Sequence, residues 1–162
     1  MEDTLIFGLG RFISLIELQE NHTDPDDRDS LGAIFGLFLQ RSNHTTLSAV
    51  ARSNYEKVKS EGMKVEGPEL GGVVKFDRVF QAIDLSTQSS LPQEKPLALL
   101  YSYIVVATKV LSSTNPSLVE CLEPYVTPGK STLVLIQNGV GIEDDIQKRW
   151  PENLVITSVV RS

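Results

Sequence analysis

The sequence predicts an α/β fold: one domain on a mainly parallel, doubly wound sheet. Three observations predict it. Short apolar and β-branched runs alternate with stretches of helical periodicity, the pattern of parallel strands joined by right-handed helical crossovers. Two of the runs, Tyr103 to Thr108 and Ser131 to Ile136, are almost continuously apolar or β-branched, as strands covered on both faces are. The first run of the chain, Thr4 to Phe7, leads into a pair of glycines, Gly8 and Gly10. At 162 residues and 41% hydrophobic content, the chain is long enough for one domain with an ordinary core.

Taken in order, Thr4-Leu5-Ile6-Phe7 is the first strand, followed by Gly8-Leu9-Gly10. A 19-residue segment, Arg11 to Asp29, then separates these from Ser30-Leu31-Gly32, which opens a helix over Gly32 to Gln40. With that segment set aside, the chain reads Leu5-Ile6-Phe7-Gly8-Leu9-Gly10-Ser30-Leu31-Gly32-Ala33. This is G-x-G-x-x-G between strand and helix, the fingerprint of a dinucleotide-binding, Rossmann-like unit. The first glycine permits the turn, the second admits the pyrophosphate to the backbone, and the third lets helix and strand approach. Without the deletion, the third position falls on Ile13, whose branched side chain obstructs that approach. The alternative is an ordinary Gly8-Gly10 turn with Gly32 in an unrelated helix.

Thr45 to Ala51 is the second strand, Tyr55 to Glu61 a short helix stopped by Gly62, and Val73 to Phe76 a third strand or hairpin arm. Thr87 to Pro96 reads as a surface loop, and Pro116 starts a helix that runs to about Leu122. Gln137-Asn138-Gly139-Val140-Gly141 follows the Ser131 strand, Ile142 to Trp150 is amphipathic, Pro151 ends it, and Leu154 to Val160 supplies the last strand.

Ligands of such sheets sit at the carboxyl ends of the strands, so the residues after each strand are the candidates. Gly8, Leu9, Gly10, Ser30, Leu31 and Gly32 form the pyrophosphate turn. Arg52 follows the second strand, where an NAD enzyme places an acid for the ribose 2′-hydroxyl. With Arg11 to Asp29 set aside, it lies about 25 residues beyond Gly8, near the expected offset. A guanidinium there suits the 2′-phosphate of NADP(H); the alternative is a solvated arginine. Lys109 is placed to reach phosphate or a substrate carboxylate, or is a plain surface lysine. Asn138, in an Asn-Gly-x-Gly loop, can orient nicotinamide or a substrate carbonyl, or stands in a simple turn.

Composition excludes several classes. Net charge is −6, against a nucleic-acid partner. Arg11 to Asp29 carries −4 of it, six acids against Arg11 and Arg28, and is foreign in composition. No apolar run is long enough to span a membrane and no basic start marks a signal peptide, so a cytoplasmic location is expected. Cys121 is the single cysteine, which excludes an internal disulfide and a cysteine-based zinc site; its surroundings predict a buried helical position. His22 and His44 stand in Asn-His-Thr triplets that match a glycosylation acceptor, unused without a secretory signal. No metal site is expected.

Phe7-Gly8-Leu9-Gly10, Ser30-Leu31-Gly32-Ala33, Val50-Ala51-Arg52, Val105 to Lys109 and Ile136 to Gly141 together resemble the N-terminal NADP-binding domain of the ketopantoate reductase (2-dehydropantoate 2-reductase, ApbA/PanE) family, and the wording around Arg52 and Asn138 its fungal members. The resemblance implies NADPH-dependent reduction of 2-dehydropantoate, or a related 2-keto acid, to pantoate in pantothenate biosynthesis. It also implies cofactor contacts from the glycine turn, Arg52 and Lys109, with Asn138 beside nicotinamide and substrate. The family's helical catalytic domain is expected to be missing, leaving residues 1–162 as a cofactor-binding part inactive alone, with no catalytic residue assignable and its oligomeric state open. Arg11 to Asp29 is read as a retained intron or an authentic loop, whose charge and position impair binding. A non-catalytic NADPH module or sensor, or a fragment without function, are the other readings.

Overall fold

A computed structural model describes residues 2–7, 13–14, 31–51, 54–66, 71–81, 100–108, 117–136 and 141–158. The elements are β1 (Glu2–Phe7), β2 (Ile13–Ser14), α1 (Leu31–Ser42), β3 (Thr45–Ala51), α2 (Tyr55–Glu61), β4 (Met63–Glu66), β5 (Gly72–Val74), β6 (Arg78–Gln81), β7 (Tyr103–Val106), α3 (Leu118–Leu122), β8 (Thr132–Leu135), α4 (Ile142–Arg149) and β9 (Val155–Thr157). Six strands form one sheet in the order β6-β3-β1-β7-β8-β9, every pair parallel. The chain moves outward from β1 through β3 to β6, returns to lay β7 beside β1, and moves the other way. This is the Rossmann-like, doubly wound order, with its switch point between β1 and β7.

Right-handed crossovers put helices on opposite faces of the two halves, and burial alternates along the strands accordingly. Ile6, Ala49, Ala51 and Val105 share one core with Ala33 and Leu37 of α1 and Val58 of α2. Leu5, Val50, Ile104, Leu133 and Leu135 share the other with Leu122 of α3, and Ile146 and Trp150 at α4. Leu5, Ile6, Ile104 and Leu133 are fully enclosed, each worth about 1.5–3 kcal/mol over an exposed side chain. Both faces of the strands must therefore be apolar, which explains their unbroken runs.

β3 and α2 form over the residues expected. Gly62 ends α2 at φ 84°, and a Cβ there would stand 2.4 Å from the Val74 carbonyl oxygen, so only glycine fits. α1 runs a turn's fraction further than expected, to Ser42, where Asn43 takes the left-handed conformation at φ 59°.

Other expectations are corrected. The Val73 to Phe76 run is a hairpin arm shortened to β5, antiparallel to β4 in a separate three-stranded sheet, β2-β4-β5. The third parallel strand is β6. Neither β4 nor β6 stands out in sequence: each has four residues, and β6 mixes Arg78 and Gln81 with Val79 and Phe80. β2 lies within Arg11 to Asp29 and pairs in parallel with β4, so part of that segment extends the small sheet. Cys121 is half-buried rather than buried, packed at the rim of the α3/α4 core. The helix expected from Pro116 begins at Leu118 behind Ser117, which forms a reciprocal capping box with Glu120. The expected loop Thr87 to Pro96 lies outside the described residues.

Polar clasps fix the edges. The Gln40 amide donates to the Val73 carbonyl at 3.1 Å and accepts from the Lys75 amide, tying α1 to the β5 arm. Buried Asn153 accepts from the Gly129 amide and donates to the carbonyls of Thr127 and Ser131, which closes the turn before β8.

Candidate functional site

The parallel register brings four strand ends to one edge. Phe7 of β1 lies opposite both Val50 of β3 and Val106 of β7, and Val106 lies opposite Leu135 of β8. Gly8 and Arg52 follow the ends of β1 and β3 directly, and Lys109 and Asn138 follow those of β7 and β8 by three residues. Gly8, Leu9, Gly10, Ser30, Arg52, Lys109 and Asn138 themselves lie outside the described residues. The strands leading to four of them end at the carboxyl edge, beside the switch point, where such sheets bind ligands.

Leu31 and Gly32 are described, and they begin α1. The Glu2 amide donates to the His44 carbonyl at 3.4 Å, which sets the far end of α1 beside the start of β1. A 12-residue helix is about 18 Å long, comparable with the roughly 20 Å of a six-residue strand. α1 therefore runs antiparallel to β1 and starts at the carboxyl edge. Gly32 is buried there.

Gly36 sets how closely α1 approaches. A Cβ on it would lie 3.1 Å from Ile6 Cδ1 and 3.2 Å from Val74 Cγ1, tighter than ordinary side-chain contact. Gly36, one turn beyond Gly32, thus makes a close helix-to-strand contact of the kind the sequence argument gave to Gly32. Gly36 stands four residues on, on the same helix face, and that spacing was the available signal.

The charges at the helix starts divide the edge. α1 has no acid in its first turn, and the amide end of a helix favours an anion. α4 opens with Glu143, Asp144 and Asp145 behind Gly141, which already satisfy its positive end and repel a phosphate. α2 carries a different feature: the Lys59 ammonium donates to the Tyr55 hydroxyl at 3.1 Å and lies 5.3 Å from the ring centroid. The hydrogen bond to Tyr55 holds the ammonium pKa above its ordinary value, with a smaller contribution from Glu56. Sequence reading passed over this pair.

Two buried tyrosines are perturbed as well. Tyr101 precedes β7 and Tyr125 follows α3, at the amino ends of the strands. Burial pushes Tyr125 up to about 12, and burial also raises Tyr101, an effect only partly offset by the neighbouring Ser48 hydroxyl. The Tyr101 hydroxyl is buried without a hydrogen bond of acceptable geometry. Neither tyrosine ionises near neutral pH. Among the described residues no group of acids, histidines and cysteine could hold a metal ion, and no helix is long and apolar enough to cross a membrane.

Comparison with known proteins agrees with this architecture. An uncharacterized protein of Saccharomyces cerevisiae, YDL144C, is 24% identical over 133 residues, covering 75% of this chain and 36% of that protein. The crystal structure of 2-dehydropantoate 2-reductase from Methylococcus capsulatus superposes with a TM-score of 0.67 at 22% identity, over 96% of this chain and 39% of that one. The ternary structure of D-mandelate dehydrogenase with NADH and anilino(oxo)acetate gives 0.64 at 17% identity, over 96% and 40%. The chain thus spans well under half the length of these relatives. The family model described as ketopantoate reductase PanE/ApbA matches residues 29–162, beginning beside Ser30, where the second half of the divided glycine motif resumes. With most of the chain matched and the sheet order in agreement, the protein belongs to the ketopantoate reductase PanE/ApbA family.

Proposed function

We propose that this chain binds NADP(H) as the nucleotide-binding part of a reductase of 2-dehydropantoate or a related 2-keto acid, in the cytoplasm. The observation that carries the reading is the coincidence of the switch point with the divided glycine motif: β1 ends at Phe7 beside β7, and α1 starts at the same edge. The described residues fit a dinucleotide. α1 is drawn close to the sheet at Gly36 and its first turn is free of acids, whereas the first turn of α4 carries three.

In this reading the Gly8-Leu9-Gly10 and Ser30-Leu31-Gly32 halves bind the pyrophosphate. Arg52 takes the 2′-phosphate with a planar fork of donors, Lys109 reaches a phosphate or the substrate carboxylate, and Asn138 orients the nicotinamide and the substrate carbonyl. The reduced nicotinamide, when bound, supplies the hydride. The alkoxide that forms requires a proton from a positioned acid and a site closed to water. In this reading the chain's own part is binding and orientation.

Titration of the 162-residue chain with NADPH and NADH tests the reading. NADPH is expected to bind more tightly, and Arg52→Ala to weaken it about tenfold or more while leaving NADH within about twofold. Equal losses for both cofactors, or a native preference for NADH, would remove the NADP assignment.

A further inference from the structure

We infer that Lys59, held by Tyr55, is a second cation for the adenosine 2′-phosphate, and so a residue that sets the preference for NADP(H) over NAD(H). This rests on the cofactor reading above and deepens it. α2 follows β3 after a short connection, and Tyr55 stands four residues beyond Ala51, the last residue of β3. Four residues of chain span at most about 14 Å, so Tyr55 stays close to the strand end that Arg52 follows. Its ring packs against the core that contains Ala51 and Val58. That contact anchors the tyrosine.

Lys59 is one turn further along α2. Helical side chains lean toward the amino end, and here the ammonium reaches back to the Tyr55 hydroxyl at 3.1 Å with its charge 5.3 Å from the ring centroid. Its charge is thus carried back toward the start of α2, the end of the helix that follows β3 in the chain. Among the described residues no carboxylate lies within ion-pair distance of the ammonium. Tyr55 thus positions the positive charge without neutralising it.

The alternative is a helix-surface contact between residues four apart that only steadies a seven-residue helix. Two features favour a ligand. A phosphomonoester carries close to two negative charges at neutral pH, more than one guanidinium balances, and the fold places the ribose 2′ position at the end of this strand. An arginine fork combined with a lysine ammonium suits such a group: the fork fixes orientation, and the ammonium adds a point charge.

Calorimetric titration of the full chain with adenosine 2′,5′-bisphosphate, ADP, NADPH and NADH tests the inference. Lys59→Met keeps the aliphatic stem and removes the charge. It should weaken the bisphosphate and NADPH about three- to tenfold, leave ADP and NADH within about twofold, and flatten the salt dependence of NADPH binding. Tyr55→Phe releases the ammonium without removing it and should produce a smaller loss in the same discrimination. Circular dichroism confirms that α2 persists in both variants. If Lys59→Met weakens all four ligands in parallel, or none, the assignment to Lys59 is overturned. Should Arg52→Ala abolish the preference while Lys59→Met preserves it, only this inference fails. If the native chain does not distinguish the bisphosphate from ADP, the NADP reading fails and takes this inference with it.

Discussion

Gly36 shows how one missing Cβ sets the distance between two layers. Its neighbours at 3.1 and 3.2 Å are side-chain ends, Ile6 Cδ1 and Val74 Cγ1, which can yield by a few tenths of an ångström. Gly36→Ala should therefore stay within about 1 kcal/mol of the native chain, because alanine's helix propensity offsets the crowding. Gly36→Leu should cost about 2–3 kcal/mol by forcing α1 from the sheet. Urea denaturation measures both, and a leucine variant as stable as the native protein would show that the seam has room. Tyr125 yields a second residue-scale outcome. Its folded pKa is raised to about 12 from an unfolded value near 10, so the native state holds a proton that the unfolded chain has released. The resulting stability is complete below about pH 10 and is lost as pH rises toward 12, by up to ~2 kcal/mol. Tyr125→Phe should remove part of the alkaline decline, and identical pH slopes would contradict the assignment. Both residues were visible in the sequence. What they touch was not.

Among the elements, β3 and α2 were legible to the residue because pattern and punctuation coincide: a β-branched run ends in a polar triplet, and an amphipathic turn ends at Gly62. β4 and β6 were not. A four-residue strand with mixed polarity gains its stability from its partners, as Arg78–Gln81 does from β3 and Met63–Glu66 from β5. The segment Arg11 to Asp29 is a different case, since its composition marked it as foreign while its pairing could not be read. Ile13–Ser14 aligns with Val65 and Glu66 of β4, a two-residue contact that extends the small sheet at its edge. Deleting Arg11 to Asp29 should rejoin the two halves of the glycine motif and remove net charge −4 from between them in the sequence. NADPH affinity is then expected to rise several-fold in the deletion variant, with the six-stranded sheet retained because loop closure changes stability by only a couple of kcal/mol. Affinity that does not change would show that the segment leaves the phosphate turn undisturbed.

At the scale of the whole molecule, the distribution of charge and the winding of the chain belong together. The half that turns outward through β3 carries Arg52 in sequence and the Tyr55–Lys59 pair in space, and the half that turns through β8 opens α4 with three acids. A ligand with a phosphate at one end meets a graded edge, so binding of NADPH should depend more steeply on salt than binding of NADH. The sequence by itself determined the α/β class and most of the strands and helices, because periodicity, glycine and proline act over a few neighbouring residues. Only the tertiary structure decided which strands are neighbours, that β5 belongs to a second sheet, that Gly36 makes the close contact and that Lys59 leans on Tyr55. Those outcomes depend on register, crossover handedness and packing between residues far apart in the chain, and a local pattern does not carry that information.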